Sequence, residues 1–69
     1  MTIGERIQTA REMRSLSRAD AAEELGIPSR TLYKYENDEA APGAEALRQI
    51  AKGLRVTSDW LLDLPGTGR

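Results

Sequence analysis

The chain has 69 residues, a net charge of −1, and neither cysteine nor histidine. This length allows one domain, and the missing residue types remove the disulfide framework, the thiolate metal site, the usual zinc ligand and the usual general base, so we expect neither an enzyme nor a bound metal or cofactor. No apolar run approaches the ~20 residues that cross a bilayer and no signal peptide is evident, so we expect a cytoplasmic protein with no membrane contact and no small-molecule ligand.

The first helix is predicted to begin at a capping box. The Thr2 hydroxyl can accept a hydrogen bond from the Glu5 backbone N–H, while the Glu5 side chain reaches back to Thr2. Helical spacing then predicts one apolar face made of Ile3, Ile7 and Ala10, continuing to Met13 or Leu16. Arg11 lies about 80° from Ile3, at the edge of this face, so we expect it to be partly enclosed and paired with a carboxylate.

Two short helical patterns separated by a turn occupy residues 17–37. Ser17 is well placed as the N-cap of helix 2, and Gly26 can end that helix in a left-handed conformation at no steric cost. Pro28, with its fixed φ, suits the start of helix 3. Two helices joined by a three- to four-residue turn that contains glycine are typical of a helix-turn-helix unit.

Helix 3 is predicted to have one apolar and one polar face. At about 100° per residue, Leu32 and Tyr35 lie on the apolar face. The opposite face, about 140° wide, contains the residues that we call the polar stripe: Ser29, Arg30, Tyr33, Lys34 and Asn37. Arginine and lysine suit guanine, and asparagine can pair with adenine or bind a phosphate, so the stripe favours contact with a DNA major groove. A solvated amphipathic helix is the simpler interpretation and stays open at this point.

The rest of the chain is predicted to form a loop and two further helices. Helix 4 has the spacing i, i+3, i+4, i+7 in Leu47, Ile50, Ala51 and Leu54, and Thr57 or Ser58 caps a final short helix. Large apolar residues are concentrated at this end of the chain: Trp60, Leu61, Leu62 and Leu64. Either some of them face a partner, or they close the base of the core. Residues 65–69 are predicted to be a flexible tail or the start of a linker.

Several segments together carry a family resemblance: Ile3 to Ile7, Leu16-Ser17, Ala22 to Ile27, Thr31-Leu32, Tyr35 to Asn37, Pro42, and Leu47 to Val56. In combination they resemble the helix-turn-helix family of the phage lambda repressor and Cro proteins, from Ile3 to about Leu62. The resemblance implies a compact all-α domain of five helices over residues 1–64, with helices 2 and 3 as the DNA-reading pair. It also implies a protein encoded by a bacterium or a phage.

The resemblance assigns roles to individual residues. Base readers correspond to Ser29, Arg30, Tyr33 and Lys34, and contacts to the DNA backbone correspond to Arg18, Thr31 and Asn37. In relatives the residue at the position of Arg18 also braces the recognition helix. Gly43 and Ala44, at the start of helix 4, are added because a helix N-terminus offers free N–H groups to phosphate. Arg11 and Glu36 match a structural ion pair of some relatives. Trp60, Leu61 and Leu64 are our candidates for a dimer interface.

This sequence departs from the family pattern at several positions. Arg18 stands where glutamine is usual, and Ser15 where glycine is usual. Ala10 and Ala21 replace leucine, which predicts a lightly packed core. Asp38 and Glu39 replace glycine and a basic residue that meets phosphate. These two carboxylates predict either a loop turned away from DNA or weaker binding than in relatives.

Our leading hypothesis is a sequence-specific DNA-binding transcriptional regulator, a repressor that binds a near-palindromic double-stranded operator as a homodimer. The alternative is a protein-interaction module of the same fold, such as an antitoxin or an anti-repressor, which the acidic loop favours. The sequence shows no nucleophile–base pair and no set of metal ligands that would support an enzyme. Steep salt dependence of duplex binding distinguishes the first two hypotheses.

Overall fold

Five α-helices and no strand make up residues 2–62, the part of the chain that the computed structural model describes. They are α1 (Ile3–Met13), α2 (Arg18–Leu25), α3 (Ser29–Glu36), α4 (Ala44–Leu54) and α5 (Ser58–Leu62). The predicted all-α, five-helix fold is therefore confirmed. The predicted tail at residues 65–69, the domain boundary at residue 64 and Leu64 itself lie outside the described residues. Within the described part, no helix is both long enough and apolar enough to span a membrane.

Three of the five helices, α1, α2 and α5, begin where a side chain accepts a hydrogen bond from a first-turn N–H group. Thr2 Oγ1 accepts from Glu5 N at 3.1 Å, and the capping box is complete because Thr2 N donates to the Glu5 carboxylate at 2.8 Å. Ser17 Oγ accepts from Asp20 N at 3.1 Å and caps α2. Of the two candidates for α5, Thr57 is the cap, since its hydroxyl accepts from Trp60 N at 3.0 Å.

Four helices are followed by a residue with positive φ, and three of these residues are not glycine. Gly26 ends α2 at φ 71°, as predicted, whereas Ser15, Asp38 and Arg55 follow α1, α3 and α4 at φ 56°, 58° and 60°. Backbone bonds of the Schellman type accompany them, for example from Glu39 N to Lys34 O at 2.9 Å. The usual glycine at the position of Ser15 is explained by this conformation, which is costly for residues with a Cβ.

The core lies between α1, α2, α4 and the inner faces of α3 and α5. Its buried apolar residues are Ile7, Ala10, Ala21, Ala22, Leu25, Leu32, Ile50, Ala51, Leu54 and Leu61. Ala10 and Ala21, which replace the leucine of the family pattern, are both buried in this core. Met13 was predicted as a possible end of the α1 apolar face, but it is 72% exposed. Leu16, in the turn after α1, packs against the core instead.

Gly4 permits the contact that sets the position of α3 against α1. A Cβ at Gly4 would lie 2.5 Å from Tyr35 O and 2.6 Å from Glu36 O, both backbone atoms at the end of α3. Because only a residue without a side chain fits this approach, α1 meets the C-terminal end of α3 backbone to backbone. The orientation of α3 is therefore linked directly to the start of α1.

Candidate nucleic-acid interface

The outer face of α3 presents the polar stripe to solvent. Ser29, Arg30, Tyr33 and Lys34 are exposed, and Asn37, just beyond the helix, is exposed as well. The opposite face is held by Leu32, which is fully buried, and by Tyr35, which packs against the core. The stripe thus combines two cations, hydroxyls and an amide on a helix whose other side is anchored. This is the arrangement that major-groove contact requires.

A buried ion pair anchors the end of α3. Arg11 Nε donates to Glu36 Oε2 at 2.7 Å and Arg11 Nη2 donates to Oε1 at 3.2 Å, so the contact is bidentate. The third donor, Arg11 Nη1, binds Leu16 O at 2.9 Å. The Glu36 side chain is only 1% exposed. The structure thus contains the pair expected between Arg11 and Glu36, and it joins α1, the α1–α2 turn and α3 at one point.

Arg18 lies against α3. Its Nε donates to Glu36 Oε1 at 3.3 Å, so Glu36 is shared by two arginines. The Arg18 guanidinium carbon also lies 4.9 Å from the centroid of the Tyr33 ring, within the range of a cation–π contact. The Arg18 side chain nevertheless keeps 38% of its surface exposed. A phosphate contact by its terminal amino groups is compatible with these two internal contacts.

Asn37 and Thr31 stand at the margins of the stripe. Asn37 Nδ2 donates to Tyr33 O at 2.8 Å, so the amide caps one of the last carbonyls of α3. Its side chain is therefore fixed in direction, with one N–H occupied. Thr31 is partly buried between the stripe and the core-facing side of the helix.

Gly43 and Ala44 lie at the exposed N-terminus of α4. Gly43 is the N-cap, with extended φ and ψ of −71° and 179°, and no side chain caps the helix there. The first-turn N–H groups are thus directed outward at the positive end of the helix dipole, which suits an anion. Glu45 lies in the same first turn and partly offsets this attraction.

Asp38 has a structural role that the sequence did not reveal. Its carboxylate accepts from Gly4 N at 3.0 Å and from Thr2 Oγ1 at 2.6 Å, so it caps the N-terminus of α1 from the far end of α3. Helix N-termini stabilise carboxylates, so part of the charge of Asp38 is compensated within the domain. Glu39 is exposed and has no such role among the described contacts. The sequence signal that could have indicated the backbone conformation of Asp38 is the residue type itself, since aspartate tolerates the left-handed conformation better than most residues.

The apolar end of the chain divides between core and surface. Leu61 was expected at a dimer interface, but it is 1% exposed and belongs to the core of the single chain, so that expectation is wrong. Periodicity could not place it, because α5 has only five residues. Trp60 is partly buried, with Arg6 5.1 Å from its ring centroid and Arg6 Nη1 donating to Trp60 O at 3.0 Å. Leu64 lies outside the described residues.

An apolar groove remains open beside α5. It has a volume of about 300 Å³ and is lined by Met13, Val56, Thr57 and Trp60. Met13, one of its lining residues, is a large apolar side chain that is 72% exposed. Exposed apolar residues concentrated in one area are typical of an interaction surface.

Known proteins have sequences similar to this chain. The HTH-type transcriptional regulator ImmR of Bacillus subtilis is 32% identical over 62 residues, which cover 90% of this chain and 49% of that protein. The cryptic phage CTXphi transcriptional repressor RstR of Vibrio cholerae is 36% identical over 61 residues, covering 88% and 54%. The chain therefore spans about half the length of the curated relatives that it matches.

Solved structures include similar domains bound to DNA. The P22 c2 repressor in complex with a synthetic operator superposes with a TM-score of 0.85 at 27% identity, over 90% of this chain and 94% of that one. SinR, the master regulator for biofilm formation, in complex with DNA, superposes with a TM-score of 0.83 at 26% identity, over 87% and 97%. The helix-turn-helix family model matches residues 7–61. The chain therefore belongs to the helix-turn-helix family, in its lambda repressor and Cro-like form.

Proposed function

We propose that this chain is a sequence-specific DNA-binding transcriptional regulator that acts as a repressor. The observation that carries the proposal is the exposed polar stripe of α3, held on a buried anchor by Arg11 and Arg18. The similarity to two repressor-type domains solved with DNA supports it. In this proposal α3 enters the major groove, while Arg18, Thr31, Asn37 and the N-terminus of α4 contact the phosphate backbone.

Arg30 is our candidate for the principal guanine contact. It is exposed in the first turn of α3, and arginine can donate two parallel hydrogen bonds to O6 and N7 of guanine. Replacing Arg30 with alanine is expected to weaken binding of the preferred duplex by about 1–3 kcal/mol and to remove the preference for guanine at one position. The measurement is the binding of wild type and Arg30→Ala to duplexes with matched and mismatched guanines. Equal discrimination by the two proteins contradicts the assignment.

The proposed regulator binds as a homodimer to a near-palindromic operator. A second copy is the expected occupant of the apolar groove because two identical reading helices on a duplex require two-fold symmetry, and the half-sites then lie about 34 Å apart. Met13, Val56 and Trp60 line the groove and supply the apolar surface for this contact. The mass of the complex formed with a selected duplex reports the stoichiometry.

Salt dependence separates this function from a protein-interaction module of the same fold. A DNA reader loses affinity steeply as salt rises, with a slope near −0.9 for each neutralised phosphate. We expect measurable binding to duplexes at low salt and a loss of one or more orders of magnitude between about 50 and 200 mM. If no duplex selected from a random library is bound even at low salt, the regulator proposal fails and the interaction module is favoured.

A further inference from the structure

The Tyr33 ring is supported on one face by a series of charged contacts. Arg11 holds Glu36 with a 2.7 Å contact, and Glu36 in turn accepts from Arg18 at 3.3 Å. The guanidinium of Arg18 lies 4.9 Å from the Tyr33 centroid. The ring is thus positioned by side chains that begin on α1 and α2, although Tyr33 belongs to α3. Of the side chains in the polar stripe, Tyr33 is the one placed by a partner from another helix in the contacts described here.

This support changes what the ring can do in binding. A side chain that is already held loses less conformational entropy on contact than a free side chain such as Lys34. Tyr33 is 45% exposed, and with Arg18 against one face it can present its ring edge and hydroxyl outward. Apart from the hydroxyl, the surface offered to a base is therefore the apolar edge of the ring, held in direction by the Arg18 contact. In the major groove, the base-edge group that takes an apolar contact is the C5-methyl of thymine.

We propose that Tyr33 reads thymine through contact of its ring with the C5-methyl group, and that Arg18 is the positioning residue that holds the ring for this contact. The inference rests on the proposed function, since it requires α3 in the major groove. A purely phosphate-binding Arg18 would add affinity without sequence preference, because phosphate contacts carry no base information. The planar guanidinium is the essential property here, since it lies over the ring while its Nε donates to Glu36, whereas lysine keeps the charge as a compact ammonium that cannot stack on the ring.

The test begins with duplexes that this chain selects from a random-sequence library. Each thymidine of a selected duplex is replaced in turn by deoxyuridine, which removes the methyl group and keeps the pairing hydrogen bonds. At one thymine in each half-site we expect about fourfold weaker binding, the contribution of one buried methyl group. Tyr33→Phe is expected to keep this sensitivity and Tyr33→Ala to lose it. Unchanged sensitivity in Tyr33→Ala overturns the thymine contact.

Arg18→Lys tests the positioning role separately from the phosphate role. Glu36 keeps its bidentate partner Arg11 in this variant, so the fold is retained, which thermal unfolding checks. We expect Arg18→Lys to lose most of the deoxyuridine sensitivity while the salt slope stays unchanged. Arg48→Lys, the same change at an exposed arginine of α4 paired with Glu45 at 3.7 Å, is the matched control and should alter neither.

The outcomes distinguish this inference from the proposed function. Retained deoxyuridine sensitivity in Arg18→Lys, together with loss in Tyr33→Ala, overturns the positioning role. A library that yields bound duplexes without any Tyr33-dependent thymine overturns this inference and leaves the DNA-binding function intact. A library that yields no bound duplex at low salt overturns both.

Discussion

Glu36 is a buried carboxylate whose charge is compensated by two arginines from other helices. Its bidentate contact with Arg11 and its contact with Arg18 satisfy both oxygens. Moving a charge out of water is costly unless such partners are present, so the three residues act as one unit. Two cations facing one anion also leave a net positive charge beside the polar stripe, which favours an approaching phosphate.

Replacing Glu36 with glutamine is expected to destabilise the domain by about 3–5 kcal/mol, because it leaves Arg11 charged and buried without a counter-charge. A domain of this size has on the order of 5 kcal/mol in total, so much of the variant should be unfolded. The urea midpoint of unfolding measures the change. Glu45→Gln is the control, since the Glu45–Arg48 pair is exposed on both sides and should matter by less than about 0.5 kcal/mol. Similar midpoints for the two variants contradict this account of Glu36.

Asp38 combines a costly backbone conformation with a favourable side-chain contact. Its φ of 58° disfavours any residue with a Cβ, while its carboxylate caps α1 through Gly4 N and Thr2. Asp38→Ala keeps the cost and loses the cap, so we expect a loss of about 1–2 kcal/mol. Asp38→Gly removes both and should be nearly neutral.

Ser15→Gly is the matched control, because Ser15 has a φ of 56° and no capping bond of its side chain is described. It is expected to stabilise the domain by about 0.5–1 kcal/mol. Thermal unfolding of the three variants measures these differences. Equal effects of glycine at the two positions would show that the Asp38 carboxylate contributes nothing to the cap.

At the scale of elements, the contact between α1 and the end of α3 depends on Gly4. Alanine is normally the better helix former by about 1 kcal/mol, but a Cβ here meets the backbone oxygens of Tyr35 and Glu36. Because backbone atoms cannot rotate away, the two helices must separate, and we expect Gly4→Ala to destabilise by about 1–3 kcal/mol. Denaturant unfolding gives the value. Gly43→Ala, where no atom lies within 4 Å of the added Cβ, should have a small effect. A neutral Gly4→Ala contradicts the close approach.

Local signals predicted most of this fold. The caps at Thr2 and Ser17 and the left-handed Gly26 depend on neighbours within four residues, so their chemistry is visible in the sequence. The resemblance added the pairing of Arg11 with Glu36, which are 25 positions apart. Contacts that neither the local sequence signals nor the family resemblance indicates were not predicted. Asp38 binds Thr2 across 36 positions, and no local pattern or family motif indicates that distance.

The sequence predicted which residues lie at the candidate site more completely than it predicted their contacts with one another. Helical spacing placed Arg30 and Lys34 on the outer face, where they lie. It could not show that Arg18 turns toward Glu36 and the Tyr33 ring, because that depends on how α2 packs on α3. Leu61 was misplaced for a related reason, since the burial of a residue in a five-residue helix depends on its tertiary neighbours.

At the scale of the whole molecule, the proposed function assigns DNA binding and pairing of two copies to two different surfaces. In the function that we propose, the polar stripe of α3 faces the duplex and the apolar groove beside α5 faces a second copy. With a net charge of −1, the chain has little general attraction for nucleic acid, so we expect the affinity of the proposed regulator to come from a few well-placed contacts and from pairing of two copies.

Met13→Glu tests the pairing without disturbing the core. Met13 is 72% exposed, so the stability of the single chain should change by less than about 0.5 kcal/mol. Two like charges brought to a two-fold interface repel, and we expect operator affinity to fall by about tenfold or more while a single half-site is bound as before. Sedimentation and duplex titration measure both. A dimer that persists in this variant places the interface elsewhere.

Because Arg18 supports Tyr33, the specificity of this domain cannot be transferred to another protein by moving α3 alone. A graft that moves the recognition helix alone into a new scaffold would transfer residues 29–36. Such a graft would carry Tyr33 and Glu36 without the guanidinium groups of Arg11 and Arg18 that hold them. The transplanted helix would place a lone carboxylate at a buried position and free the tyrosine ring. In this domain the portable unit is therefore α3 together with two arginines from α1 and α2.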